Sequence, residues 1–316
     1  MEEKRYKLGL ALSGAAARSV FYLGFLEVLQ ENSIPVDVIA AQSGASIVAA
    51  SYASGTLDRL KKDMLALNWK KLRGLLKPFG KGGLYSLEYA EEYLRTHITL
   101  GKHFEELQTK LCFVATNLET GRVVPLVMGD VARSIRITCS VPGLFEPVKW
   151  GNQVLVDGGI LSIIPAQLAR EAGADVVLGV SVRSTKHVFL PSHIKIRRFY
   201  NLLKTHSYGK LAYYWRKTVS PEGVEGFIQD PLHDDDAPGY SMLKTIGRSL
   251  DLAIDISKKE AISNDAYWCD MAIHEGEGKY GDSVNISKSQ GLYEDGRRSA
   301  LENLRVIRTL IETGKV

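Results

Sequence analysis

Ser43 is the residue around which chemistry could gather. It stands in Val36-Asp37-Val38-Ile39-Ala40-Ala41-Gln42-Ser43-Gly44-Ala45, between a β-branched apolar run and a run of small residues that ends at Gly55. Val36–Ala40 is predicted as a buried strand and Ala45–Ala53 as a tightly packed helix with a glycine just past its end. A serine on a sharp strand-to-helix turn is held at the rim of a sheet. The helix N-terminus behind it offers free N–H groups to developing negative charge. Such a serine is a candidate nucleophile for acyl transfer; it is equally a candidate cap for a buried helix.

Acyl transfer also needs a base within hydrogen-bond reach and donors aimed at the oxyanion. Asp157 follows the predicted strand Val154–Val156 and precedes Gly158 and Gly159. A carboxylate at a strand end is where α/β sheets place their sites, although Asp-Gly also opens ordinary turns. The turn Gly14–Arg18 opens the first predicted helix, so its N–H groups point where an anion could sit. It also reads as a plain connection packed with small side chains.

The elements that must position these residues alternate. A strand at Lys7–Leu12, a helix over Val20–Gln30, the strand before Ser43 and the helix after it make a βαβα pattern, which predicts a parallel sheet wrapped by helices. Residues 56–82 read as helical and basic. Strands are predicted at Leu111–Thr116, Val123–Val127 and Asp175–Val182, with short helices at Val131–Ile137 and from Pro165 to Arg170. No element is assigned between 83 and 110. Met242–Ile262 returns to helical spacing, Ala266–Ile273 reads as a last strand and Tyr293–Thr313 as a terminal helix.

The chain of 316 residues can bury a sizeable core, and its 45% apolar and 24% charged content is that of a globular protein. A formal charge of +4 is too small to argue for nucleic acid. Cys112, Cys139 and Cys269 are far apart and odd in number, which argues against a disulfide framework and a zinc site. No secretory h-region or membrane-spanning stretch is read, so a cytoplasmic protein, free or peripheral to a membrane, is expected. Lys186–Ser220 holds eight Lys or Arg residues among aromatics and no acid, whereas Glu222–Asp236 holds six acids and no Lys or Arg. The bland reading is a solvated insertion. The sharper one is that it contacts anionic membrane together with the basic stretch 59–81.

Taken in order, Ser13-Gly14-Ala15-Ala16-Ala17-Arg18-Ser19, Ala41-Gln42-Ser43-Gly44-Ala45, Cys139-Ser140-Val141-Pro142-Gly143-Leu144-Phe145-Glu146-Pro147 and Asp157-Gly158-Gly159 resemble the motifs of the patatin-like phospholipases. The resemblance is strong over residues 5–185 and traceable over about 240–312. It implies a three-layer α/β fold, with a mostly parallel central sheet and helices on both faces. The single domain would run over 5–316, with residues 186–239 inserted. It also implies a metal-independent, cofactor-free Ser–Asp dyad acting on carboxylic esters of lipids, as a phospholipase or a lysophospholipase/esterase. Ser43 would be the nucleophile and Asp157 its base. The backbone of Gly14, Ala15, Ala16, Ala17, Arg18 and Gly44 would bind the oxyanion.

The seven histidines fall outside every matching motif. The chain departs from the family where Ala41 and Ala45 replace the outer elbow glycines and where its loop keeps one glycine, Gly14. Alanine there can cost on the order of 1 kcal/mol, so low activity is expected. The rival reading is a silent relative that binds lipid or a protein partner. A Rossmann unit is disfavoured because residues 9–19 lack G-x-G-x-x-G.

Overall fold

All five residues of β1, Leu8–Leu12, are buried. Leu8, Leu10 and Leu12 enter one hydrophobic core and Ala11 another. Successive side chains point to opposite faces of a sheet, so a strand covered on both sides reads as an unbroken apolar run. β1 pairs in parallel with β2, Val38–Ala41, and with β10, Val176–Val182. β11, Met271–Glu275, continues in parallel beyond β10, and β5, Lys110–Asn117, beyond β2. The computed structural model describes residues 5–78, 82–182, 267–275 and 288–315. The expected insertion at 186–239 and the expected helix over 242–262 lie outside the described residues.

At β5 the direction changes. β6, Arg122–Leu126, and β9, Gln153–Asp157, both run antiparallel to it, and β8, Val148–Trp150, runs antiparallel to β9. The result is one eight-stranded, mostly parallel sheet. The registers show how β5 is shared. Phe113 pairs with both Ala41 and Leu126, so β2 and β6 take opposite edges. Ala115 pairs with both Val124 and Asp157, so β9 lies opposite β6. β2 and β9 therefore occupy the same edge of β5 and meet head to head.

Helices cover both faces. On one lie α1, Val20–Glu31, α2, Gly44–Ser54, and the long α8, Ser289–Thr313. On the other, Ala166 and Ala169 of α7, Ala166–Glu171, pack against Ala11, Ala40 and Val177. That face is lined with small residues: a Cβ on Gly9 would stand 2.5 Å from the Cβ of Ala174. The α/β class and the layered arrangement agree with the sequence.

Residues 56–82 differ from expectation. They form two short helices, α3, Leu57–Leu65, and α4, Trp69–Gly74, and then turn into strands β3, Lys77–Pro78, and β4, Gly83–Ser86. β4 pairs with β7, Gly143–Phe145, in a small separate sheet. Pro78 cannot donate to a continuing helix, and a Cβ at Gly83 would collide with the backbone of Phe145, an approach open to glycine alone. The unassigned stretch holds α5, Glu88–His97, which faces α6, Val131–Thr138. Arg136 of α6 is tied to Glu91 of α5 and to Glu146, and Ser86 also bonds Glu146. No helix among the described residues is long and apolar enough to cross a membrane.

α1 and α8 touch through two glycines. A Cβ at Gly24 would collide with the carbonyl oxygen of Tyr293, and one at Gly296 with that of Phe21. Beside this crossing, Glu27 accepts from Tyr293, Arg297 and Lys61. Gly24→Ala and Gly296→Ala should each cost about 1–3 kcal/mol through overpacking. Gly291→Ala, which meets nothing within 4 Å, should instead stabilise by about 1 kcal/mol through helix propensity. Urea midpoints of the three variants check the contrast.

Candidate active site

The chain leaves β2 at Ala41 and enters α2 at Gly44, with only Gln42 and Ser43 between. Ser43 adopts φ 51° and ψ −138°, a conformation that a non-glycine residue holds only under constraint. The constraint is visible. The Ser43 amide donates to Thr138 Oγ1 at 3.0 Å, and that hydroxyl donates to the Val114 carbonyl at 2.5 Å. Ser46 Oγ donates to the Ser43 carbonyl at 2.6 Å. Gly44 fills the remaining space, since a Cβ there would lie 2.7 Å from the Ala16 carbonyl oxygen.

Asp157 ends β9 level with Ala115, and Ala41 ends β2 level with Phe113. Only Val114 separates the two strand ends, a gap of about 7 Å at the usual rise per residue. β9 arrives antiparallel to β5 and faces β2 end-on. Asp157 is 4% exposed, its amide donates to Ser140 O at 3.0 Å, and its Oδ1 accepts from the Gly159 amide at 2.8 Å. Gly158 must be glycine because a Cβ would strike the Val114 carbonyl.

Between the two lies Cys139. The residue keeps some exposure, but its thiol is enclosed, and burial pushes its pKa up. The charge of Asp157 raises it further, while hydrogen bonds with Ser46 and Ser43 act in the other direction. A thiol held protonated at neutral pH is a poor nucleophile, which leaves Cys139 as a packing and hydrogen-bonding partner of the serine.

The predicted oxyanion segment is a loop and a 3-10 turn, Ala16–Ser19, that leads into α1. The Arg18 amide bonds the Ala15 carbonyl. The amides of Gly14, Ala15, Ala16, Ala17 and Gly44 make no hydrogen bond among the described residues. Through the contact of Gly44 with Ala16, loop and elbow adjoin, so these amides share one neighbourhood. The Arg18 side chain is 5% exposed, and burial lowers its pKa. Ala41 and Ala45 are fully buried without positive φ, whereas Ala16 holds φ 47°. The strain expected of the alanine substitutions thus falls in the loop and spares the outer elbow positions. Among the described residues no group of His, Cys, Asp or Glu is arranged to hold a metal.

A family model described as patatin-like phospholipase matches residues 10–170, half of the chain, and takes in every motif above. The chain belongs to the patatin-like phospholipase family. An uncharacterized NTE family protein of Mycobacterium tuberculosis is 27% identical over 181 residues, 57% of this chain and 50% of that protein. Lysophospholipase NTE1 of Cryptococcus neoformans is 28% identical over 188 residues, 56% of this patatin-like chain and 11% of the fungal protein. The chain thus spans about half the length of its bacterial relatives and far less of the fungal ones. Among solved structures, VipD from Legionella pneumophila gives a TM-score of 0.46 at 14% identity, covering 95% of this chain and 67% of that one.

Three residues that the sequence reading left without a role belong to this site: Thr138, Cys139 and Gln42. Cys139 stands in a motif that carried the family resemblance, so its presence was marked while its contacts were not. Gln42, 3% exposed, donates from Nε2 to the Ile163 carbonyl at 3.2 Å. A Cβ on Gly14 would stand 2.9 Å from that nitrogen, and one on Gly159 2.7 Å from Gln42 Oε1. The glutamine is thus a wedge between the loop at Gly14 and the turn after Asp157. Gly159→Ala should destabilise by about 1–3 kcal/mol, and Gln42→Ala in the same chain should restore part of the loss. A double-mutant cycle on denaturant midpoints should give a coupling of at least about 0.5 kcal/mol, where independent sites would simply add. In the same assay Ala16→Gly should stabilise by up to about 1 kcal/mol by relieving the positive φ, whereas Ala41→Gly and Ala45→Gly should each destabilise by about 0.5–1 kcal/mol.

Proposed function

We propose that this protein is a serine acyl hydrolase acting on carboxylic esters of lipids through Ser43 and Asp157, without a metal or cofactor. The observation that carries the reading is the head-to-head ending of β2 and β9 across Val114, with the strained Ser43 on one side and Asp157 on the other. Asp157 takes the hydroxyl proton as Ser43 Oγ attacks the ester carbonyl. The oxyanion forms beside the amides of Gly44 and the Gly14–Ala17 loop, which make no hydrogen bond among the described residues. The proton then passes to the departing alcohol, leaving an acyl-enzyme. In the second half, Asp157 takes a proton from water, hydroxide adds to the acyl carbon, and the acid leaves as Ser43 recovers its proton. Lysophospholipase activity, for which the fungal relative is named, is the finer assignment.

A second reading has its own observation. Ala16 stands with φ 47° in the loop that would hold the oxyanion, and a displaced donor costs on the order of 10²–10³ in rate. A chain so affected would bind lipid and turn it over slowly. Labelling with a fluorophosphonate probe separates the readings: wild type should label and Ser43→Ala should not. Asp157→Asn should lower turnover of a short-chain p-nitrophenyl ester by orders of magnitude, while replacement of any histidine changes it far less. Full activity in Ser43→Ala would end the proposal.

A further inference from the structure

The basic stretch that follows α2 is not uniform once its ion pairs are assigned. Arg59 pairs with Asp63, Lys61 with Glu27, and Lys77 with Glu88. Lys70, Lys71 and Arg73, all on α4, are exposed and have no carboxylate partner among the described residues, as is Lys62 on α3. α4 itself is unusual: it has six residues, none buried, and Trp69 is 58% exposed. A helix of one and a half turns gains little from its own hydrogen bonds, and its only cap is Asn68, which accepts from the Lys71 amide at 3.0 Å. An uncovered tryptophan beside three unpaired cations has the composition of a bilayer interface, where an indole sits at headgroup depth and cations meet anionic lipid.

The neighbouring small sheet extends the same surface. In the parallel pairing of β4 with β7, Gly83 stands beside Gly143 and Tyr85 beside Phe145, which sets Leu84 next to Leu144 on one face. Further along that face Ser86 and Glu146 are bound to each other and to Arg136, so this end is anchored to the body. The other end presents Leu84 and Leu144, 49% and 38% exposed, with Tyr85 and Tyr89 also open to solvent.

The surface adjoins the candidate site. Thr138 holds the Ser43 amide, Cys139 lies against its side chain, and Ser140 receives the Asp157 amide. Leu144 follows four residues later, about 13 Å of chain at most. We propose that α4 and the open end of the β4–β7 sheet form a docking surface for an anionic lipid bilayer. Lys70, Lys71 and Arg73 meet the headgroups, and Trp69, Leu84 and Leu144 enter the interface. This placement brings a lipid acyl ester toward Ser43. The inference rests on the lipid-hydrolase reading only for that last step; the docking stands or falls by itself.

Co-sedimentation with vesicles of phosphatidylcholine alone, and of phosphatidylcholine mixed with phosphatidylglycerol, tests it. Wild type should prefer the anionic vesicles and release from them as salt rises. Lys70→Glu, Lys71→Glu and Arg73→Glu together should weaken partitioning by on the order of a hundredfold. Leu84→Ser with Leu144→Ser should weaken binding to both vesicle types. Turnover of a soluble short-chain ester should stay unchanged in every variant, which shows that the fold is intact. Should wild type prove inactive, circular dichroism and thermal midpoint take over as the fold control and the vesicle result still decides. Equal binding of wild type to neutral and anionic vesicles, or wild-type binding by the triple variant, would overturn the docking surface.

Discussion

One strand is longer than its neighbour, and the site depends on that difference. β5 runs past the end of β2 and offers the free part of its edge to β9, which arrives from the opposite direction. Two backbones that end against each other on one edge cannot be joined by ladder hydrogen bonds at the junction. The unpaired groups there are taken up by other elements: the Val114 carbonyl by Thr138, the Ser43 amide by Thr138, the Asp157 amide by Ser140. Buried backbone polar groups must be satisfied somewhere. Here their satisfaction recruits residues 138–140, which also bring Cys139 to Ser43.

Close approach is the second theme. Gly44 against Ala16, Gly158 against Val114 and Gly159 against Gln42 leave no volume for a side chain. The first and last of these contacts each join two of the loops that the sequence motifs occupy, and the second seats the turn after Asp157 on β5. The site is accordingly a place where backbones touch directly, with the large side chain of Gln42 set among them. Such packing makes the relative position of the loops a property of the backbone and little dependent on rotamers.

The central elements could be read from the chain because each is decided locally. Unbroken apolar runs marked β1, β2 and β10, and small-residue runs marked the turns, so the parallel core followed from pattern alone. The head-to-head meeting could not be read, because it depends on which edge of β5 each partner takes, a long-range choice that no window contains. The 56–82 stretch was misread for a related reason. Its helical composition is real as far as Gly74, but β4, which pairs with β3, is completed by β7, about sixty residues later. Ser43, Asp157 and the Gly14–Ala17 loop were legible as motifs; Gln42, Thr138 and Cys139 act through contacts that only the fold creates.

The crossing of α1 and α8 carries a consequence for the order in which the molecule can be made. Tyr293 and Glu27 are bonded across 266 residues, and the two glycines beside them leave the helices with no side chain to keep them apart. α1 is the helix that the Gly14–Ala17 loop feeds into, and its apolar residues share a core with Leu292, Tyr293, Ala300, Ile307 and Leu310. A ribosome delivers α1 long before α8. Throughout that interval Phe21 and Phe25 lack part of their cover, and the loop in front of them lacks its support. The nascent chain therefore carries Ser43 long before α1 and the loop ahead of it have the cover that α8 supplies, and the closing of that layer waits on residues near 300.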